Sequence, residues 1–306
     1  MEDARPQLDL VFARRLDRTI LERRIFRWPF VLTRTFALER TPPCLLSVFL
    51  QTSSGAVHGE DDLRQRLHIR GGAAAYVTTQ GASPVHRATP GQTSKESVGI
   101  RIEDDGHLEY VPEPRILFPG AALDQTIEVD CAPGGFALAA DVFTIHDPAG
   151  EGRRFRSLRA TTILRRGGDA PLLVDRVDIR GLGRGRTAAF AAFGSVYVLA
   201  PDGAAALMAD VAAMLPGIPG LYGATSELPG DGTGFSVRLA GYDLRSVRTA
   251  VALTWSLSRQ SRFGCKPSAR GKDDAWSTKS DEDQLGGGSA VDDALARGGA
   301  DARASS

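Results

Sequence analysis

Over the first two hundred residues the apolar positions fall in short runs or alternate with polar ones. LDLVFARR (8–15), FVLTRTFAL (30–38), LLSVFLQT (45–52) and LRQRLHIR (63–70) have this form. So do VGIRIED (98–104), HLEYV (107–111), TIEVDC (126–131) and PLLVDRVDI (171–179). A period of two places alternate side chains on opposite faces of a strand. Turn residues punctuate the runs at Ser53-Ser54-Gly55, Gly71-Gly72, Asp104-Asp105-Gly106, Pro133-Gly134-Gly135 and Gly167-Gly168. Many short strands with no intervening helical period predict a mainly β body. The segments share no fixed repeat, which a β-helix-like stack of irregular coils does not require.

Two later segments change period. In 203–215, Leu207, Val211 and Leu215 lie four apart, and Pro216-Gly217 ends the stripe. In 243–262, Leu244, Val247, Val251 and Trp255 recur at helical spacing, with Asp243 as N-cap and Arg259 and Arg262 suited to the negative end of the helix dipole. Between the helices, LYGATSEL and FSVRLA flank a PGDGTG turn and predict a hairpin. The expected fold is therefore a β-helix-like stack of short strands with two α-helices in the C-terminal third. It forms a single domain over 1–264. Residues 265–306 are polar and rich in Gly and Ser, the composition of a disordered tail.

Composition narrows the function classes. Lys+Arg and Asp+Glu both number 37, so the chain lacks the basic excess of a nucleic-acid binder. Cys44, Cys131 and Cys265 form no CxxC pair and no even framework, as expected in a reducing compartment. The opening MEDARPQLDL is charged rather than apolar, and no apolar run approaches the ~18 residues of a membrane span. A cytoplasmic location is the expectation.

Candidate chemistry is sparse. His58, His68, His86, His107 and His146 fall in no HExxH or HxH arrangement, and no GxSxG is present. The Gly181–Gly185 stretch follows a strand but precedes no amphipathic helix and no P-loop Lys, so it reads as a turn. Glu60 and Asp61, with His58 close by, offer oxygen and nitrogen ligands for passing contact with a divalent cation. The competing reading of these residues is a solvated turn. Trp255, Leu257 and Phe263, near the end of the second helix, either anchor a partner or face the β body.

The segment TSSGAVHGEDDLRQRLHIRGGAAAYVTTQGASPVHR (52–87) resembles the signature of the UreD (UreH) urease accessory proteins. The matching positions are Gly55, Gly59, Asp61, Leu63, Thr78, Thr79, Gly81, Ala82 and Arg87. LEYVPEPRILFPGA (108–121) resembles the next family segment at Leu108, Glu109, Pro112, Ile116, Leu117, Phe118, Gly120 and Ala121. GEGRRFRSLRATTILRR (150–166) and LLVDRVDI (172–179) follow in the family's order, and the similarity runs from about residue 8 to 262. The family's His-Pro-Pro is Thr52-Ser53-Ser54 here, its second Gly is Ala56, its Trp is Tyr110, its second acidic position is Pro114 and its Tyr is His86. The chain thus resembles a diverged member of that family.

The resemblance implies a non-catalytic scaffold that binds the helical accessory protein UreF, reaches the GTPase UreG through UreF, and docks on apo-urease. It implies no tightly bound cofactor. Nickel would pass transiently along an internal path, for which Asp61, Glu60 and His58 are the sequence candidates. Two other classes remain open at this stage: a carbohydrate-active enzyme on a β-helix, and a generic binding module. Aromatic residues are only 7%, and Lys95 is the one lysine of the β body, which disfavours a sugar site.

Overall fold

The computed structural model describes residues 5–38, 44–168, 170–181, 190–230 and 232–267. The tail expected beyond 264 lies outside the described residues from 268 onward, as does the Gly-rich stretch after Gly181.

The strands, β1 to β18 in chain order, form two sheets. The first contains β1 (Leu8–Arg15), β2 (Arg18–Phe26), β6 (Asp62–Ile69), β9 (Ser94–Ile102), β12 (Ala122–Cys131), β14 (Ser157–Arg166) and β15 (Leu173–Ile179), in the order β15-β14-β12-β9-β6-β1-β2. The second contains β3 (Phe30–Val31), β4 (Thr35–Phe36), β5 (Leu45–Thr52), β7 (Ala74–Thr79), β8 (Ser83–Val85), β10 (His107–Tyr110), β11 (Arg115–Leu117), β13 (Phe136–Ile145), β16 (Ala192–Leu199), β17 (Leu221–Glu227) and β18 (Gly234–Gly241). Its main order is β17-β18-β16-β13-β10-β7-β5-β3, with β11 added beside β13, β8 beside β11 and β4 beside β5.

The chain alternates between the sheets. β6, β9, β12 and β14 pair in parallel in one, and β5, β7, β10 and β13 pair in parallel in the other. This is the expected β-helix-like stack. Antiparallel β15, β16 and the β17–β18 hairpin complete its C-terminal end. The strand expected over 30–38 is instead two short pieces, β3 and β4, both laid against β5.

The inner faces of both sheets share one core, including Leu10, Phe12, Leu67, Ile100, Val129, Val77, Leu108 and Leu199. The outer face of the first sheet is solvated, so β9 and β12 alternate between buried and exposed positions. The outer face of the second sheet is covered by helices α1 (Ala204–Met214) and α2 (Leu244–Phe263). Leu207, Val211 and Leu215 form the predicted stripe and pack with Val196, Val198, Phe235 and Val237. Asp243 caps α2 by accepting from the Ser246 N–H at 2.8 Å. The second helix approaches β16 so closely that a Cβ on Gly194 would stand 3.0 Å from Val247 Cγ1. No helix of the described residues is long and apolar enough to cross a membrane.

Candidate functional site

Strand alternation aims several polar side chains into the core. On β6 the inward series is Leu63, Gln65, Leu67 and Ile69; on β9 it is Ser94, Glu96, Val98, Ile100 and Ile102. On β12, Gln125 follows Leu123 in the same phase and lies beside Glu96 in the parallel register. On β13, Asp141 follows Ala137 and Ala139 on the inner face. Arg115 of β11 enters from the second sheet. Its Nε donates to Glu96 Oε2 at 2.9 Å, and Gln65 Nε2 donates to Glu96 Oε1 at 3.0 Å. Burial opposes the charge on Arg115, but the Glu96 carboxylate outweighs it and raises the guanidinium further. Burial raises the Asp141 carboxyl from the ordinary aspartate range, with Gln125 opposing it by hydrogen bonding.

These groups lie along three cavities. The largest, about 370 Å³, has Gly55, Thr79, Gly81 and Ala82 on its walls and Gln65, Glu96 and Arg115 among its lining. A gap of about 10 Å³ shares Glu96 and Arg115 with it and adds Pro112, Gln125 and Asp141; that is roughly the volume one water needs. A third cavity, about 180 Å³, shares Asp141 and adds Thr162, Asp175, Tyr197 and Arg238. There Asp175 accepts from the Tyr197 hydroxyl and pairs with Arg238, which also donates to Ser195 Oγ at 2.9 Å. Gln65 Oε1, in the wall of the first cavity, is buried with no hydrogen-bond partner. The arrangement is a discontinuous polar line between the sheets, rich in oxygen ligands.

Other sequence candidates serve the architecture around this line. A Cβ on Gly59 would stand 2.6 Å from the Arg87 carbonyl oxygen, and one on Gly120 would stand 3.0 Å from Arg87 Cγ. Three matched positions therefore meet at one tight corner, where Arg87 bridges to Ala121. Gly55 adopts φ 69°, in the left-handed region, and Thr78 is buried on β7. Thr79 Oγ1 donates to the Gly81 carbonyl at 3.0 Å and accepts from the Glu113 N–H at 2.9 Å. Phe118 lies between His86 and His146.

Asp61 closes its turn. Its carboxylate accepts from the His58 N–H at 2.8 Å, while Glu60, at φ 77°, is exposed. His58 stacks on His86, with ring centroids 5.2 Å apart, rather than meeting the two carboxylates. Among the described residues, no group of three or more His, Cys, Asp or Glu is placed to hold a metal ion. The sequence candidates Asp61, Glu60 and His58 are thus neighbours on a turn, not a ligand cluster.

The second helix reveals a feature that composition alone hides. Glu109 points from the outer face of β10 into α2 and is 0% exposed, as is Arg259. Arg259 Nε donates to Glu109 Oε1 at 3.0 Å, Trp255 Nε1 to Oε2 at 2.6 Å, and His107 Nε2 lies 3.1 Å from Oε1. Burial would raise the Glu109 carboxyl, but hydrogen bonds from His107 and Arg259 outweigh it and hold it at about 2. Burial lowers the neighbouring His107, which favours its neutral ring, against the opposing pull of Glu109. Its ring stacks on Phe136 at 4.4 Å and meets Phe263 at 4.5 Å. Trp255 stacks on Tyr76 at 4.7 Å, and Leu257 packs against the outer core. Trp255 and Phe263 therefore face the β body, the second of the two readings open from sequence. Arg259 departs from its expected role at the helix dipole: Glu109 draws it inward to neutralise a carboxylate shut off from solvent.

The family model described as "UreD urease accessory protein" matches residues 4–272. A protein named "Urease accessory protein UreD 2" from Bradyrhizobium sp. strain BTAi1 is 48% identical over 263 residues, covering 85% of this chain and 92% of that protein. Its namesake from Bradyrhizobium sp. strain ORS 278 is 46% identical over 264 residues, covering 86% and 92%. "Urease accessory protein UreD" from Mycolicibacterium smegmatis is 34% identical over 261 residues, covering 85% and 91%. These matches extend over both sheets and both helices, so the chain belongs to the UreD family of urease accessory proteins.

Proposed function

We propose that this chain is a non-catalytic cytoplasmic scaffold that guides nickel into apo-urease, bound directly to UreF and through it to UreG. The observation that carries the reading is the polar line from Gln65 and Glu96 through Asp141 to Asp175, set inside an otherwise apolar β core. Divalent cations of this class accept oxygen and nitrogen ligands. A path must hold its cargo weakly enough to release it, so scattered carboxylates and amides suit the task better than a closed cage. Glu96, Glu113 and Asp141 are the carboxylates at the narrow point, and Gln65 Oε1 is an unused acceptor in the widest cavity. Nickel is cargo here, with no tightly bound cofactor. Asp61, Glu60 and His58 lie outside this line of cavity-lining residues; any contact they make with nickel would be peripheral to it.

The test is co-expression with the urease subunits, UreF and UreG. Asp141→Asn preserves shape while removing the charge, and it should leave UreF co-purification intact and lower the nickel content of urease. Normal nickel occupancy at normal complex yield would refute the path. Failure to retain UreF or apo-urease would refute the scaffold.

A further inference from the structure

The parallel coils bring four aromatic or imidazole side chains to the same register position. Val57 bridges to Val85, Leu117 pairs with Val85, and Leu117 pairs with Ile145. The ladder runs one residue further: His86 N–H donates to the Val57 carbonyl at 2.9 Å, Phe118 N–H to Val85 at 3.2 Å and His146 N–H to Leu117 at 3.1 Å. The next residues on the four coils are therefore His58, His86, Phe118 and His146, in that spatial order. Neighbouring strands lie about 4.8 Å apart, so equal-register side chains stack. Centroid separations of 5.2, 5.7 and 5.3 Å follow from this.

We propose that His58 and His86 form a two-imidazole site for a divalent transition-metal ion on the surface of the solenoid. The rings are nearly parallel, 18° apart, and both residues are exposed, so ligation requires no opening of the core. Metal–nitrogen distances of about 2.0–2.1 Å bring two ligating nitrogens within roughly 4 Å of each other. Centroids 5.2 Å apart leave the two rings to turn their nitrogen edges toward each other for both to reach one ion. Backbone pairing fixes both Cα positions, which lowers the entropy lost on binding. Asp61 adds negative charge to the same turn while its carboxylate is engaged by the His58 N–H. Phe118 separates His146 from the pair, so the site has two imidazoles, with water completing the coordination. The site lies apart from the inter-sheet line and does not rest on the scaffold reading, because metal binding is measured on this chain alone.

The experiment is calorimetric titration of the full chain with Ni²⁺, in a background carrying Cys44→Ser and Cys265→Ser to remove thiol ligands. One variant is His86→Phe, which keeps an aromatic ring in the stack and removes the ligand; another is His58→Ala. Each should weaken binding by at least about tenfold, while His146→Ala should bind as the parent does. Circular dichroism and melting temperature, unchanged in His86→Phe, separate lost ligation from lost structure. Parent-like affinity in His86→Phe or in His58→Ala overturns the site, as does a parent chain that binds no Ni²⁺. Equal weakening by His146→Ala also overturns it as drawn, because the ladder would then be acting as a whole.

Discussion

Replacing Arg259 by Met tests whether α2 is anchored by charge. The substitution keeps much of the side chain's length and strands the Glu109 carboxylate in a site with 0% exposure. Two routes give its magnitude. Breaking a buried ion pair by removing one partner costs about 3–5 kcal/mol. Independently, the Glu109 carboxyl lies at about 2 against an ordinary 4.5. A shift of roughly two and a half units, at about 1.4 kcal/mol each, stabilises the folded chain by about 3 kcal/mol at neutral pH. The second figure bounds the Arg259 share from above, because hydrogen bonds from His107 and Arg259 both lower the Glu109 carboxyl. A domain stable by about 5–15 kcal/mol survives this loss in weakened form. The assay is urea unfolding followed by fluorescence in a Trp28→Phe, Trp276→Phe background, which leaves Trp255, stacked on Tyr76 within the cluster, as the sole indole. The double variant Glu109→Leu, Arg259→Met removes both charges and should recover most of the loss. A single variant within about 1 kcal/mol of the parent would show that the pair is electrostatically idle. A double variant no better than the single would show that the loss comes from packing.

The cluster also predicts acid sensitivity. Burial lowers His107, so the unfolded chain binds a proton below about pH 6.5 that the folded chain refuses, and stability should fall by up to about 1.4 kcal/mol per pH unit from there. Glu109 adds a second loss as pH falls from 4.5 toward about 2, since its folded value is also depressed; His107→Gln should abolish the first phase and leave the second. Gly59→Ala should destabilise the chain by about 1–3 kcal/mol, measured by melting, because its new Cβ meets the Arg87 carbonyl and not a flexible side chain. Asp61→Ala should cost about 1 kcal/mol through the lost His58 N–H bond. It should lower complex yield while nickel per purified urease stays normal; reduced occupancy at full yield would return Asp61 to the metal path.

What could be read from sequence followed solvent exposure. β9 and β12 have a wet outer face, so their alternation is plain in the sequence. β13 is covered by core on one face and helices on the other, and FALAADVFTI accordingly shows no period. The inter-sheet line did leave a signal: Gln65, Glu96 and Gln125 each occupy the apolar phase of an alternating strand. That signal is no spacing motif: the informative anomaly is a polar residue in the wrong phase. Glu109 drew notice only through family resemblance, because its partner Arg259 is distant in sequence and belongs to a helix whose charges otherwise suit solvent. The pairing of His58 with His86 depends on coil register, which irregular turns conceal.

Two enclosed ion pairs of the described residues, Glu96 with Arg115 and Glu109 with Arg259, can be separated by what surrounds them. Replacing a buried pair with well-packed apolar side chains is often neutral or stabilising, so stability alone gives no reason to retain either. Glu109 and Arg259 join a helix to a sheet, with Trp255, Tyr76 and His107 closing around them, and none of these five lines any of the three cavities described above. Such a pair specifies where α2 docks, since an unmatched register would leave a bare carboxylate under the helix. Glu96 and Arg115 join the two sheets instead, and both line the widest cavity and the gap that follows it. A carboxylate with a salt partner on one side and open volume on the other can exchange part of its hydrogen bonding for a passing cation, whereas Glu109 cannot. Neutralising each pair as a whole therefore has opposite expected readouts. Glu109→Leu with Arg259→Met should change helix docking and spare nickel delivery once the chain is folded. Glu96→Leu with Arg115→Met should fold at least as well as the parent and deliver less nickel. Normal delivery by the latter pair would place the route elsewhere in the molecule, and impaired delivery by a folded, UreF-bound form of the former would mean that the two ends of the sheet are coupled.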